Sequence, residues 1–264
     1  MKKFTLVAFL MLVSVIAFAQ KPVKFGVYVG GVAPFGQMGE GDELKKIDVA
    51  PYSDFSNWAL FSDKGKQGYA STGVNAGFDV TLNLPVEGLG VFGGLDFFYN
   101  SNSSYVKDAM ENYAHEVVKT PGISELNYVL PNFMNIPILF GLSYQHDFNN
   151  IVGIFCEAGV GPNFRLISSY EETTKYTGSQ KDTKISYTYD SATTLGFKVG
   201  AGVMMWDKMS IVADFYSLGS AKINGTEKIE NLPTLTGYTD VKNDFKGENA
   251  ISASEFVIRV GYHF

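Results

Sequence analysis

The side chains able to do chemistry are few and scattered. The 264 residues hold three histidines, His115, His146 and His263, and one cysteine, Cys156. Acid–base catalysis needs a base with positioned partners, and no two of these histidines share a local motif. His115 falls in a long polar segment, His146 in a short turn and His263 at the end of the last strand-like run. A single cysteine excludes an internal disulfide and a multi-thiolate metal site. Cys156 sits in an alternating apolar run and reads as a small apolar residue. The run Gly88-Leu89-Gly90-Val91-Phe92-Gly93 matches the glycine fingerprint of dinucleotide sites, which must follow a strand and open a helix. Here it opens a strand, and glycines in a tight turn and on a crowded face account for it. Glu40, Asp42 and Glu43 lack the spacing of a calcium loop and read as solvated charge. The expectation is no enzyme, no cofactor and no metal.

The elements that must position these residues are signalled first at the two ends. Lys2 and Lys3 precede an apolar run from Phe4 to Phe18 that closes on Ala17-Phe18-Ala19 before Gln20, the order of a secretory signal peptide. That run is short for a helix that must span a bilayer with about 20 residues. The expected division is a signal peptide over residues 1–19, cleaved after Ala19, and one domain over 20–264. Losing Lys2 and Lys3 takes 21 basic residues to 19 against 27 acidic, a net charge of −8. With no basic run, nucleic acid is not an expected partner. No later segment is long and apolar enough for a second helix. The options left are an exported soluble protein or a closed membrane barrel. The chain ends Phe256-Val257-Ile258-Arg259-Val260-Gly261-Tyr262-His263-Phe264, with aromatic or branched residues at each even position. Tyr262 and the terminal Phe264 resemble the signal by which bacterial outer-membrane barrels are recognised by their insertion machinery.

Between the ends, period-two alternation recurs and helical periodicity does not. Val74 to Leu84 and Leu89 to Tyr99 form a hairpin around Pro85–Gly88. A second runs from about Tyr128 to Tyr144 and from Ile151 to about Leu166, and a third pairs Leu195–Val203 with Ile211–Phe215 across Trp206–Lys208. Lys24–Val32 and Ser254–Phe264 complete eight strands. Short turns alternate with long polar segments near 36–71, 101–127, 167–184 and 220–250, the asymmetry of outer-membrane barrels with short periplasmic turns and long extracellular loops. Some of these segments should extend the strands, and Ile185, Tyr187 and Tyr189 stay in phase with Leu195. Pro137 inside a paired strand predicts a bulge.

A soluble barrel such as a lipocalin would bury the apolar set and expose a charged one. Here the polar set is glycine, asparagine, serine and threonine with about one charge per strand, which suits the packed lumen of a narrow barrel. The apolar set is assigned to outer-membrane lipid, with Tyr99, Tyr144, Tyr187, Tyr262 and Phe264 in the aromatic girdles. Asp79, Asp96, Glu157, Asp214 and Glu255 then face inward with Lys198, Arg259 and Arg165, and opposite charges should pair. This network reads as a plug that fixes register, the alternative being a gate or ion path. In the first long segment Tyr52, Phe55, Trp58 and Phe61 form either a partner surface or packing within the loop.

Asn135-Ile136-Pro137-Ile138-Leu139-Phe140-Gly141-Leu142, followed by Glu157-Ala158-Gly159-Val160-Gly161-Pro162, resembles the PorT-like (OmpX-like) outer-membrane β-barrel family of Bacteroidetes. Asp214-Phe215-Tyr216-Ser217-Leu218-Gly219 is similar to that family's penultimate-strand pattern. The resemblance covers nearly the whole mature chain and implies an all-β, eight-stranded antiparallel barrel in the outer membrane of a Gram-negative bacterium. It implies no catalytic residues. Some members serve protein secretion and gliding, which makes a surface or secretion-system protein an expected partner. The main expectation is a surface-binding scaffold, with a narrow passive channel and a secretion accessory as alternatives.

Overall fold

The structure, a computed structural model, describes residues 23–39, 70–149, 151–247 and 250–264. In chain order the strands are β1 (Lys24–Phe35), β2 (Ala70–Asn83), β3 (Leu89–Asn102), β4 (Ile123–Val129), β5 (Phe133–Asp147), β6 (Val152–Ile167) and β7 (Tyr170–Tyr176). They continue as β8 (Thr183–Tyr189), β9 (Ala192–Met205), β10 (Met209–Lys222), β11 (Gly225–Thr234), β12 (Gly237–Phe245) and β13 (Ala250–His263). Among the described residues one helix, α1 (Ser104–Val118), joins β3 to β4.

Eight long strands close into an antiparallel barrel in the order β1-β13-β10-β9-β6-β5-β3-β2. Closure leaves no edge, which is what allows a sheet to lie in lipid. The seam is β1 against β13, in register from Gly26–His263 to Phe35–Ser254, and the Phe264 amide donates to the Phe25 carbonyl at 2.8 Å. Tight turns join β2 to β3, β5 to β6 and β9 to β10 at one end. In the last of these Trp206 and Asp207 have φ of 53° and 55°, and the Lys208 amide donates to the Met205 carbonyl. That handedness suits the twist of a hairpin and usually takes Asn-Gly. Trp206, exposed at the rim, is held there instead.

Side chains alternate across the wall, and the burial is inverted relative to a globular protein. Outward Val29, Phe140, Leu195 and Ile258 are 60%, 62%, 72% and 59% exposed, whereas inward Asn75, Asp96, Asn163, Lys198, Asp214 and Arg259 are almost wholly buried. An apolar band around a polar interior is stable only when lipid covers the band. Phe25, Tyr144, Phe148, Trp206, Tyr262 and Phe264 ring the turn end.

The other end departs from the sequence reading. The long segments carry a five-stranded sheet, β12-β11-β8-β7-β4, which repeats the order of barrel strands β13-β10-β9-β6-β5. Half of the wall therefore continues beyond the barrel. The faces exchange at the junctions. Tyr187 and Tyr189 on β8 are buried while Leu195 on β9 faces outward, so the expected common phase fails across the break at Asp190–Ser191. Tyr187 belongs to the interior, not to a girdle. Pro137 also produces no bulge. The β5–β6 register is unshifted from Phe133–Ile167 to Asp147–Gly153, and the β3–β5 ladder simply skips the pairs opposite Ile136 and Pro137. Losing one amide on one side is absorbed as a local gap.

Helix α1 was not expected from a segment read as a long polar loop. Its apolar residues Val106, Met110, Tyr113 and Val117 fall on one face and are buried, and Ser103 caps it by accepting the Val106 amide. This face joins Tyr170, Tyr187, Tyr189 and Leu126 of the sheet and the upper lumen residues Phe98, Leu139, Tyr216, Leu218 and Val257 in one apolar cluster. The helix thus packs beside β4 and shares its apolar core with the sheet end of the barrel. Ser103→Ala should destabilise the helix by about 1 kcal/mol, read as faster amide exchange across 104–118 with the barrel strands unchanged.

Candidate functional site

The site that the barrel builds is in its lumen. Arg259 projects inward from the middle of β13, its neighbours on either side being Gly30 of β1 and Val212 of β10. Its guanidinium reaches three carboxylates on three other strands: NH1 to Asp96 Oδ1 at 2.9 Å, NH2 to Glu157 Oε1 at 3.1 Å and Nε to Asp214 Oδ2 at 2.6 Å. Lys198 on β9 lies 2.5 Å from Glu157 Oε1 and 3.7 Å from Asp214 Oδ1. The Tyr216 hydroxyl donates to Asp96 Oδ2 at 2.8 Å, and the Tyr28 ring stacks under Arg259 with 4.1 Å between centroid and Cζ. Asp79 Oδ1 and the Tyr28 hydroxyl both crowd the space beside Gly26, which brings Asp79 into the group.

Glycines make room for it. Gly200 lies opposite both Glu157 and Asp214, and a Cβ there would stand 1.9 Å from Asp214 Oδ1. A Cβ on Gly77 would likewise meet Asp96 Oδ1 at 2.2 Å. The glycine-rich polar face is therefore the space into which the ion pairs fold. Gly200→Ala should force Asp214 off its partners, and the measurement is a lower unfolding midpoint in urea, by the 1–3 kcal/mol typical of overpacking (about 2 kcal/mol).

Six of the eight inward charges named from the sequence meet here, Asp79, Asp96, Glu157, Lys198, Asp214 and Arg259, while Arg165 and Glu255 do not. Glu255 stands apart. It is fully buried between Pro34 and Tyr216 in the register, its two oxygens accept no hydrogen bond among the described residues, and Arg165 supplies the charge that acts on it. Arg165 itself donates to the carbonyls of Ile251 and Gly219 and to Asn135. Tyr28, Tyr216 and Asn75 were missed as members. Tyr216 lies two residues from Asp214, so period-two parity alone places both on the inner face.

Above the ion pairs Phe98 and Tyr216 pack edge to face at 4.8 Å, within the apolar cluster that α1 also joins. At the turn end His263 Nε2 lies 3.0 Å from Ser210 Oγ, with the Tyr28 ring against the imidazole edge. A hydroxyl and an imidazole thus touch at this rim. Tyr262 and Phe264 are exposed on the outer wall at this rim, their rings 5.0 Å apart. Ala17, Ala19, Gln20, Tyr52, Phe55, Trp58 and Phe61 lie outside the described residues.

A closed eight-stranded wall, apolar outside and charge-paired inside, sets the frame for comparison. The sequence pattern of the outer membrane protein beta-barrel domain family matches residues 5–264, nearly the whole chain. The chain belongs to that family. Its barrel therefore sits in the outer membrane, its apolar band against lipid. No curated protein matches the sequence. Among solved structures this outer-membrane barrel is similar to a major outer membrane protein from Thermus thermophilus, with 11% identity, a TM-score of 0.43, and 92% of this chain and 100% of that one covered. It is also similar to OprG from Pseudomonas aeruginosa (13% identity, TM-score 0.40, 92% and 97% covered) and to Ail of Yersinia pestis (11%, 0.37, 92% and 100%).

In the sheet of this barrel protein, outside the membrane span, Glu172 on β7 is buried and accepts the Tyr170 hydroxyl at 2.7 Å. Burial raises its carboxyl above the usual range, only partly offset by that hydrogen bond. A raised folded-state value means that folding favours the protonated form. The contribution is full below the ordinary carboxylate range and is lost as pH rises through the folded-state value. Urea midpoints should therefore rise as pH falls from about 7 to about 4, and Glu172→Gln should flatten this part of the dependence.

Proposed function

We propose that this protein is a non-conducting outer-membrane scaffold without enzymatic activity, whose sheet and helix α1 form a binding surface outside the cell. The observation that carries this reading is the filled lumen. The Arg259 network crosses it, and the Phe98–Tyr216 layer lies above within an apolar cluster that extends to α1. An eight-stranded barrel encloses little more than its own side chains, and here these are paired with one another. Half of the wall continues as the sheet, a rigid mount for recognition.

A signal peptide over residues 1–19 supports export, and Tyr262 with Phe264 at the exposed rim suits reading by the insertion machinery. A role as accessory to a secretion or gliding machine of Bacteroidetes draws its support from the PorT-like strand motifs. Deletion of the gene tests it through secretion and motility, both of which would then fall. The scaffold reading is tested by reconstitution into planar bilayers. The expected trace is flat for the wild type; steady current steps, altered in Asp214→Asn or Lys198→Gln, would favour the narrow channel instead.

A further inference from the structure

The outer wall is not uniformly bulky. Toward the turn end, across β5, β6 and β9, outward Tyr144, Ile154, Cys156, Ala201 and Val203 line an open groove of about 430 Å³. Its floor is the cross-strand pair Cys156–Ala201. Tyr144 flanks Cys156 on β5, and the pair Ile154–Val203 forms the next row toward the turns. From inside, the ring of Phe155 packs against Gly202, where a Cβ would meet it at 2.8 Å, so the floor is braced against collapse. Elsewhere the chain fills such a gap itself: the Phe140 ring lies 3.1 Å from the place of a Cβ on Gly93. Cys156 and Ala201 remain exposed.

We propose that this groove seats one acyl chain of a phospholipid and holds it in preference to the surrounding lipid. It is continuous with the apolar band that faces the bilayer, so hydrocarbon is the medium that meets it. In that medium there is no hydrophobic drive, and packing decides what stays. An unfilled groove forfeits the dispersion contacts of its lining, and a flexible hydrocarbon chain follows its curved floor where a second rigid barrel does not. Beyond the Ile154–Val203 row, on the side of the turns, stand His146, paired with Ile154, and exposed Trp206 and Lys208 of the β9–β10 turn, where a phosphate head group would lie. The proposal rests on the wall facing lipid and not on the scaffold role.

The test is native mass spectrometry of the full-length protein released from membranes in mild detergent. The wild type should carry one phospholipid mass. Ala201→Phe fills the floor and should lower the lipid-bound fraction about tenfold, equivalent to about 1.4 kcal/mol. Ala201→Leu should lower it less, and Ala33→Phe, outward on β1, should leave it unchanged. The unboiled gel mobility of each variant separates loss of the barrel from loss of the lipid. A folded wild type without phospholipid, equal retention by folded Ala201→Phe and Ala201→Leu, or a protein dimer in place of the lipid-bound species would overturn the proposal.

Discussion

Arg259→Met should be the most damaging single substitution in the barrel, costing about 3–5 kcal/mol. Among the described residues the guanidinium is the one group that touches Asp96, Glu157 and Asp214 together. Without it Lys198 is left facing Glu157 and Asp214, and Asp96 keeps the neutral Tyr216 hydroxyl. A buried pair broken from one side leaves an uncompensated charge, and the full desolvation penalty is then felt. Urea unfolding in lipid vesicles, followed by gel mobility, measures the loss. Combining Arg259→Met with Asp96→Asn and Asp214→Asn should recover a large part of it, because two of the orphaned charges go too while Lys198 keeps Glu157. The departure from additivity reports the coupling between them. Equal losses in the single and the combined variants would mean that the arginine acts by packing on Tyr28 rather than by charge.

The second large effect belongs to the opposite face. Val199, between inward Lys198 and Gly200, points outward near the middle of β9. Val199→Arg should cost about 2–4 kcal/mol, as a charge at the midplane of a lipid-facing wall does. Asn127→Arg on exposed β4, beyond the barrel, should stay within about 0.5 kcal/mol of the wild type. The contrast depends on depth in the bilayer and not on exposure, since both residues are exposed. In a soluble barrel both substitutions would be tolerated alike.

The barrel itself was legible because its signal is local. Alternation along Val74–Leu84 or Ile211–Phe215 fixes a strand, its two faces and, with a short turn, its partner. The terminal run through Phe264 fixes the last strand in the same way. The small neutral character of the polar set then decided which face is inside, and parity placed Arg259, Lys198 and Asp214 there together. What parity does not give is height along the barrel axis. Glu255 shares the inner face but sits two inward positions from Arg259, beyond Val257 toward the sheet, beside Tyr216 and Pro34.

The sheet end was read less well for a different reason. The breaks at Ser168–Ser169 and Asp190–Ser191 and the register shift between Ser217 and Ser220 exchange the two faces of the wall. Tyr187 therefore carries the alternation of a girdle residue but the burial of a core residue. Helix α1 was missed although its spacing, Val106, Met110, Tyr113 and Val117 after Ser103, is that of a capped amphipathic helix. One apolar residue per turn among Lys107, Asp108, Glu111 and Glu116 looks like a polar loop until the apolar cluster that it joins is known.

Gel mobility of the protein in detergent, with and without boiling, applied to the outer-membrane fraction, tests the central claim most directly. Eight strands closed by the β1–β13 seam and locked inside by Arg259 should resist unheated detergent and run as a compact band that shifts on boiling, and the band should remain with the membranes. A single mobility under both conditions, with the protein released in soluble form, would contradict the lipid-facing assignment of the wall and with it the barrel's place in the outer membrane.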